Sequence, residues 1–164
     1  MIGSASFRIG HGVDAHRLVE GRPLMLGGVA IPYERGLEGH SDGDAATHAL
    51  ADAVLGAAGA GDLGRHFPSG DERWRGVSSL TLLEHAAELA RRHGWVVESA
   101  QVVIICEQPR LGPHVDAMQR ALAAALGVEP AQVAVSATTT DGMGMTGRGE
   151  GIAASAVALL APIS

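Results

Sequence analysis

Two periods of apolar and polar positions divide the chain. From Phe7 to His16 the alternation is of period two (Phe7, Ile9) and predicts a strand on which Asp14 and His16 point to the same side. Leu24-Met25-Leu26 and Val29 to Tyr33 flank Gly27-Gly28 and predict a hairpin. After the polar turn His40 to Asp44 the period changes: Ala46, Ala49, Leu50, Ala53, Val54 and Ala57 follow the i, i+3, i+4, i+7 stripe of a helix that stops near Gly56, Gly59 and Gly61. Asp44, His48 and Asp52, four apart, stack on its other face and are expected to point away from the chain's own core. Gly61 to Asp71 has no period and predicts a loop over that face. Ser78 to Glu84 supplies several N-cap candidates for a second helix, with Thr81 and Glu84 matching a capping box, and the helix runs to Arg92 or His93 and ends at Gly94. Trp95 to Val97 is extended, and Ala100 to Cys106 is a further, buried strand. Glu107 to Pro113 is a turn, with Pro113 opening a helix that carries Val115, Met118, Leu122 and Leu126 and closes at Gly127. Val133 to Ala137 and Ile152 to Leu160 are the last strands, joined by a glycine-rich loop.

This order predicts an α+β fold, an α/β sandwich in which a mixed, four-stranded main sheet carries helices on one face. Strands as apolar as Ala100 to Cys106 and Ile152 to Leu160 need cover on the other face too, and sheets of neighbouring subunits would supply it in a ring. A length of 164 residues with 46 % hydrophobic residues suits one domain, residues 1–164, with residues 1–6 as a short N-terminal extension.

Charge and composition narrow the chemistry. A formal charge of −6 without a basic run argues against a nucleic-acid surface. All 12 basic residues are Arg, so Schiff-base chemistry and a Walker lysine are excluded. The lone Cys106 lies in an apolar run and reads as core filler. No stretch approaches the roughly 20 apolar residues of a membrane span, so no membrane partner and a cytoplasmic location are expected.

Two features point to chemistry. Asp14 and His16, at i and i+2 on a strand, bring an oxygen and an imidazole nitrogen within a few ångströms, suited to a divalent metal of the zinc type. Thr138-Thr139-Thr140 and the glycines through Gly151, with Arg148, suit a loop that wraps phosphate oxygens with hydroxyl and N–H donors.

Taken together, Gly10 to His16, Gly27 to Tyr33, His40 to His48, Thr138 to Thr140 and Thr146 to Gly151 resemble the 2-C-methyl-D-erythritol 2,4-cyclodiphosphate synthases, collinearly from about Phe7 to Leu160. The resemblance implies conversion of 4-diphosphocytidyl-2-C-methyl-D-erythritol 2-phosphate into the cyclic 2,4-diphosphate with release of CMP, in non-mevalonate isoprenoid biosynthesis. It implies Zn²⁺ or another divalent cation on Asp14, His16 and His48, and His40 and Thr139 as catalytic residues. Substrate contacts would fall on Ser41, on Asp62, Leu63 and Gly64, and on the loop Phe67, Pro68, Ser69, Gly70 and Asp71. The cytosine would lie on Cys106, Glu107, Gln108, Pro109, Arg110, Leu111 and Gly112, and the diphosphate by Thr138, Thr140 and Asp141. A second cation, Mg²⁺ or Mn²⁺, sits on the diphosphate in relatives, held by a Glu where this chain has Asp141. Each site would lie between subunits of a homotrimer, and Met145 and Arg148 would border a central channel able to hold an isoprenoid diphosphate. The suspected strand order is ferredoxin-like, and Asp44 is expected to orient its neighbours.

Overall fold

The computed structural model describes residues 6–164, so the expected extension falls outside the described residues except for Ser6. Strand β1 (Arg8–Glu20) is followed by the hairpin β2 (Leu24–Leu26) and β3 (Val29–Ile31) and by β4 (Arg35–Leu37). Helices α1 (Ala45–Ala58), α2 (Leu63–His66) and α3 (Ser79–Arg92) lead to β5 (Trp95–Ile105), then to α4 (Val115–Leu126) and β6 (Val133–Thr138). The short α5 (Gly144–Gly147) precedes the closing strand β7 (Gly151–Pro162).

The sheet runs β4-β1-β7-β5-β6, with β2 and β3 paired separately. It has five strands rather than the expected four, because three residues of β4 pair with the end of β1 (Leu18 opposite Leu37), too short a run to show a period. β7 is antiparallel to both β1 and β5, whereas β5 and β6 are parallel. That parallel pair corrects the ferredoxin-like expectation. The crossover through α4 brings the chain back to the end at which β5 began, and the order of elements is not β-α-β-β-α-β. The two extended segments expected before and after residue 98 form one strand with a bulge at Val97/Ser99. Helix α3 starts at Ser79 after an N-cap at Ser78, not at a Thr81 capping box. The expected 61–71 loop contains α2, whose first turn is capped by Asp62.

Alternation decides which strand residues meet the helices. On β1 the even positions Gly10, Gly12 and Leu18 are buried, and on β7 so are Ile152, Ala154, Ala156, Ala158 and Leu160. The cross-strand pairs Gly10/Ala158 and Gly12/Ala156 make a floor of small side chains under α1. A Cβ on Gly10 would stand 1.8 Å from the Ala53 carbonyl oxygen, and one on Gly12 2.0 Å from that of Ala49. The helix therefore lies on bare backbone, which fixes the separation of α1 from β1. The core is completed by Leu50, Val54 and Leu55 of α1, Leu83 of α3, Met118 and Leu122 of α4, and Val102 and Ile104 of β5. The opposite sheet face is uncovered in the chain: Ile9, Val13 and Val157 are 74, 61 and 42 % exposed.

Candidate metal centre and active-site cleft

Period-two alternation on β1 puts Asp14 and His16 on the α1 side, and the first turn of α1 presents His48 to them. Asp14 Oδ2 lies 2.7 Å from His16 Nε2 and 3.0 Å from His48 Nδ1, and the two nitrogens are 3.3 Å apart. The His16 Nδ1–H donates to the Glu38 carbonyl at 2.6 Å, so in the neutral ring Nε2 turns a lone pair on the same point. Three acceptors so close repel one another unless a proton or a cation lies among them. Ligands of a tetrahedral zinc stand about 3.3 Å apart, so the spacing and the donor types fit a divalent metal.

The ionisation of the cluster shows the same tension. Burial alone would raise the Asp14 pKa, but hydrogen bonds from His16 and His48 and their charge outweigh it and hold it down at about 2. Burial would lower that of His16, and the bond and charge of Asp14 outweigh it and raise it above the ordinary value.

The turn before α1 sets the position of His48. Gly43 has φ +76°, and a Cβ there would come within 2.4 Å of the Leu37 carbonyl oxygen. Asp44 is fully buried, which corrects the expectation that it faces outward with His48 and Asp52. As the N-cap it folds over the helix end instead of following the stripe. Its carboxylate accepts from the Gly27 N–H (2.9 Å), the Gly28 N–H (2.7 Å) and both the N–H (3.0 Å) and hydroxyl (2.7 Å) of Thr47, tying α1 to the β2–β3 turn. Arg22 donates to the carbonyls of Gly39 (3.0 Å) and Ser41 (2.9 Å), holding the turn on either side of His40. His48 Nε2 faces two hydroxyls, Ser41 at 3.0 Å and Ser79 at 2.7 Å.

A cleft opens from this cluster. It is lined by Asp14, His16, His40, Ser41, His48, Asp52, Leu63, Gly64, Phe67 and Ser69, and by Trp74, Val77 and Leu82, which the sequence pattern did not single out. Pro68 and Gly70 are exposed on the same segment, and the Asp62 carboxylate caps α2 by accepting the Arg65 N–H. Asp71 reaches the site through its backbone: its carbonyl accepts from His40 Nε2 at 2.9 Å. The Gly76 N–H donates to the His40 carbonyl, and Phe67, Trp74 and His85 pack edge to face, so the 67–77 segment is fastened over the turn. Asp52 accepts the Leu63 N–H at 2.8 Å, and burial, with the charges of Asp62 and Asp14, raises its pKa.

The remaining candidates lie elsewhere in the chain. Cys106, Glu107, Pro109, Arg110, Leu111 and Gly112 form one wall of a second cleft and Thr138 and Thr139 the other. The exposed Gln108 lies on the first of these loops, and Glu107 joins the two by accepting the Thr140 N–H at 3.3 Å. Asp141, at φ 53°, stands beside the Thr139 hydroxyl. Burial first, and then the charge of Glu107, pushes the Cys106 thiol up to about 11, so it is no nucleophile. Met145 and Arg148 border a third cleft with Arg17 and Glu150, where Arg148 is paired to Glu150 at 2.7 Å. Within one chain, Thr139 and His40 thus line different clefts.

The fold and the Asp/His/His cluster define an α+β protein with three donors that could hold a divalent metal ion. Residues 7–161 match the YgbB family. The 2-C-methyl-D-erythritol 2,4-cyclodiphosphate synthase of Geobacillus kaustophilus is 56 % identical over 154 residues, 94 % of this chain and 98 % of that one. The bifunctional IspDF of Campylobacter jejuni superimposes with a TM-score of 0.94 at 37 % identity; the match covers 98 % of this chain and 44 % of that longer one. A 2C-methyl-D-erythritol-2,4-cyclodiphosphate synthase solved in a CDP-bound form gives 0.85 at 42 % identity, covering 93 % of this chain and 99 % of that one. The chain belongs to the 2-C-methyl-D-erythritol 2,4-cyclodiphosphate synthase family.

Proposed function

We propose that the chain converts 4-diphosphocytidyl-2-C-methyl-D-erythritol 2-phosphate to 2-C-methyl-D-erythritol 2,4-cyclodiphosphate and CMP. The observation that carries this reading is the convergence of Asp14, His16 and His48 in a cleft that His40 and Ser41 also line, in a chain of this family. An oxygen of the 2-phosphate attacks the β-phosphorus, the bond from that phosphorus to the bridging oxygen breaks, and CMP leaves with the bond's electrons. Nucleophile and electrophile belong to one molecule, so the protein's work is to fold the substrate and to offset charge. That agrees with a chain that has no lysine and whose one cysteine is buried.

Asp14, His16 and His48 would hold the cation, zinc by the donor set. Such a cation supplies Lewis-acid neutralisation of phosphate charge. The Ser41 hydroxyl and His40 contact the phosphates from the turn, and Asp62 to Gly64 with Phe67 to Asp71 enclose the erythritol. The Cys106 to Gly112 loop takes the cytosine and Thr138 to Thr140 the diphosphate, with Thr139 at the reacting phosphorus and Asp141 toward a second cation, Mg²⁺ or Mn²⁺. Because the two clefts are separate in one chain and the apolar sheet face is uncovered, each site forms between neighbouring subunits of a homotrimer. Solved relatives with CDP, among them the IspF of Plasmodium falciparum, support the cytidine assignment. An isoprenoid diphosphate entering beside Met145 has to draw Arg148 away from Glu150. Among the described residues no helix is long and apolar enough to cross a membrane.

The test is ³¹P NMR of the products. One cyclic diphosphate per CMP supports the proposal; inorganic phosphate released from the substrate, or from simple phosphate esters, refutes it in favour of a hydrolase.

A further inference from the structure

We infer that Asp42 and Ser79 are positioning residues for the metal centre: through a buried hydroxyl they hold His48 in the tautomer and orientation that present Nδ1 to a cation. The inference rests on the metal reading of Asp14, His16 and His48 and adds two residues from separate segments that neither the sequence pattern nor the ligand geometry assigns.

The direction of each hydrogen bond is forced. The Asp42 carboxylate is acceptor-only when ionised; Oδ2 takes the Ser79 N–H at 2.9 Å, and Oδ1 takes the Asp44 N–H at 3.1 Å together with the Ser79 hydroxyl. Ser79 is fully buried, so no solvent competes for its hydroxyl proton. With that proton given to Asp42, Ser79 Oγ has only lone pairs to offer the His48 Nε2, 2.7 Å away. Nε2 must then carry a ring proton, and in the neutral ring Nδ1 is left bare toward Asp14 Oδ2 and His16 Nε2. His16 reaches the matching state by giving its Nδ1 proton to the Glu38 carbonyl. Both ligand rings are thus fixed from behind, one by a carbonyl and one by an Asp–Ser pair.

The same logic sets the role of Ser41. Its hydroxyl oxygen is 3.0 Å from Nε2, but a protonated Nε2 has no lone pair to accept a proton. The Ser41 hydroxyl proton therefore remains for an anionic oxygen in the cleft.

The sequence concealed this pair. Asp42 and Ser79 are 37 positions apart, and Ser79 at the start of α3 reads as one more N-cap candidate. Its hydroxyl makes no cap and turns to α1 instead.

The experiment compares Zn²⁺ affinity, by competition with a chromophoric chelator, for the full chain and for Ser79→Ala, Ser79→Thr and Ser78→Ala, alongside imidazole ¹⁵N shifts of the metal-free protein. Ser79→Ala is expected to weaken Zn²⁺ binding about 10- to 100-fold. Ser79→Thr, which keeps the hydroxyl, restores affinity, and Ser78→Ala, at an exposed position without a side-chain cap bond, leaves it unchanged. In the wild type the neutral His48 ring should give the shifts of the Nε2–H tautomer, and Ser79→Ala should mix the two tautomers. Wild-type affinity in Ser79→Ala, or an Nδ1–H tautomer at His48 in the wild type, overturns the inference. Failure of the wild type to bind Zn²⁺ refutes the metal reading instead, and the nitrogen shifts then decide the Asp42–Ser79 assignment by themselves.

Discussion

Substituting Gly12 by alanine is expected to disturb the Asp14, His16 and His48 cluster without touching any of its three side chains. Gly12 lies between the ligand-bearing end of β1 and the helix that carries His48. Its new methyl would meet the Ala49 carbonyl oxygen at 2.0 Å, the Ala53 nitrogen at 2.9 Å and the Ala49 carbonyl carbon at 3.0 Å. All three atoms are helix backbone, so no rotamer relieves the contact, and α1 has to retreat by about 1 Å to reach the shortest tolerable separation. Overpacking of this kind costs about 1–3 kcal/mol, and a clash against helix backbone belongs at the upper end. The same retreat carries His48 away from Asp14 and His16, whereas metal–ligand distances tolerate only about 0.2 Å. Gly12→Ala is therefore expected to lose about 2–3 kcal/mol in urea unfolding and at least about tenfold in Zn²⁺ affinity. Gly56→Ala is the control: it lies on the same helix with nothing within 4 Å of the added Cβ, and should be neutral or stabilising by up to about 1 kcal/mol. A Gly12→Ala protein with wild-type stability and wild-type metal affinity would refute the claim that bare backbone on β1 sets the geometry of the centre.

Further outcomes follow from the clefts and their charges. Cys106, buried with its pKa pushed up to about 11, should resist iodoacetamide at pH 8 in the native protein and react once the chain is unfolded. In metal-free protein the lowered pKa of Asp14 contributes about 2 kcal/mol that is present above pH 3.8 and lost as pH falls toward about 2. The raised pKa of His16 contributes stability that is complete below pH 6.5 and lost as pH rises through the folded value. Urea unfolding of the chelated protein should therefore show greatest stability between these limits, and His16→Asn should flatten the alkaline decline. Arg22→Met deprives the Gly39 and Ser41 carbonyls of their donors and should cost about 1–3 kcal/mol and raise KM, with Zn²⁺ affinity within threefold of wild type; an unchanged KM would show that the His40 turn holds its shape without the clamp.

Much of the fold was legible because long periodic segments speak for themselves. The alternation of β1, the alanine stripe of α1 and the closing glycines each carry a signal within a few residues, so Asp14 and His16 could be paired on one side of a strand before any contact was known. His48 could not be separated from Asp44 and Asp52 by periodicity alone. The structure separates them by depth: Asp44 caps the helix and is buried, Asp52 holds α2, and His48 meets Asp14. What stayed hidden is what depends on packing between distant segments. Three residues of β4 acquire strand geometry only through β1, the parallel β5–β6 pair depends on the course of α4, and Ser79 becomes informative only when α3 docks beside α1. The glycine-rich loop lies between two strands, as its flanks predict, but no local pattern shows that its Thr139 lines a cleft apart from His40.

The most direct test of the central claim, that Asp14, His16 and His48 form a metal centre within the substrate cleft, is anomalous diffraction at the zinc edge from crystals soaked with Zn²⁺ and CDP. A single strong peak is expected in each such cleft, bonded to Asp14 Oδ2, His16 Nε2 and His48 Nδ1, with a phosphate oxygen of CDP on its open side. A cleft that binds CDP but shows no peak among those three atoms, or a zinc held by the opposite nitrogen of His48, would contradict it.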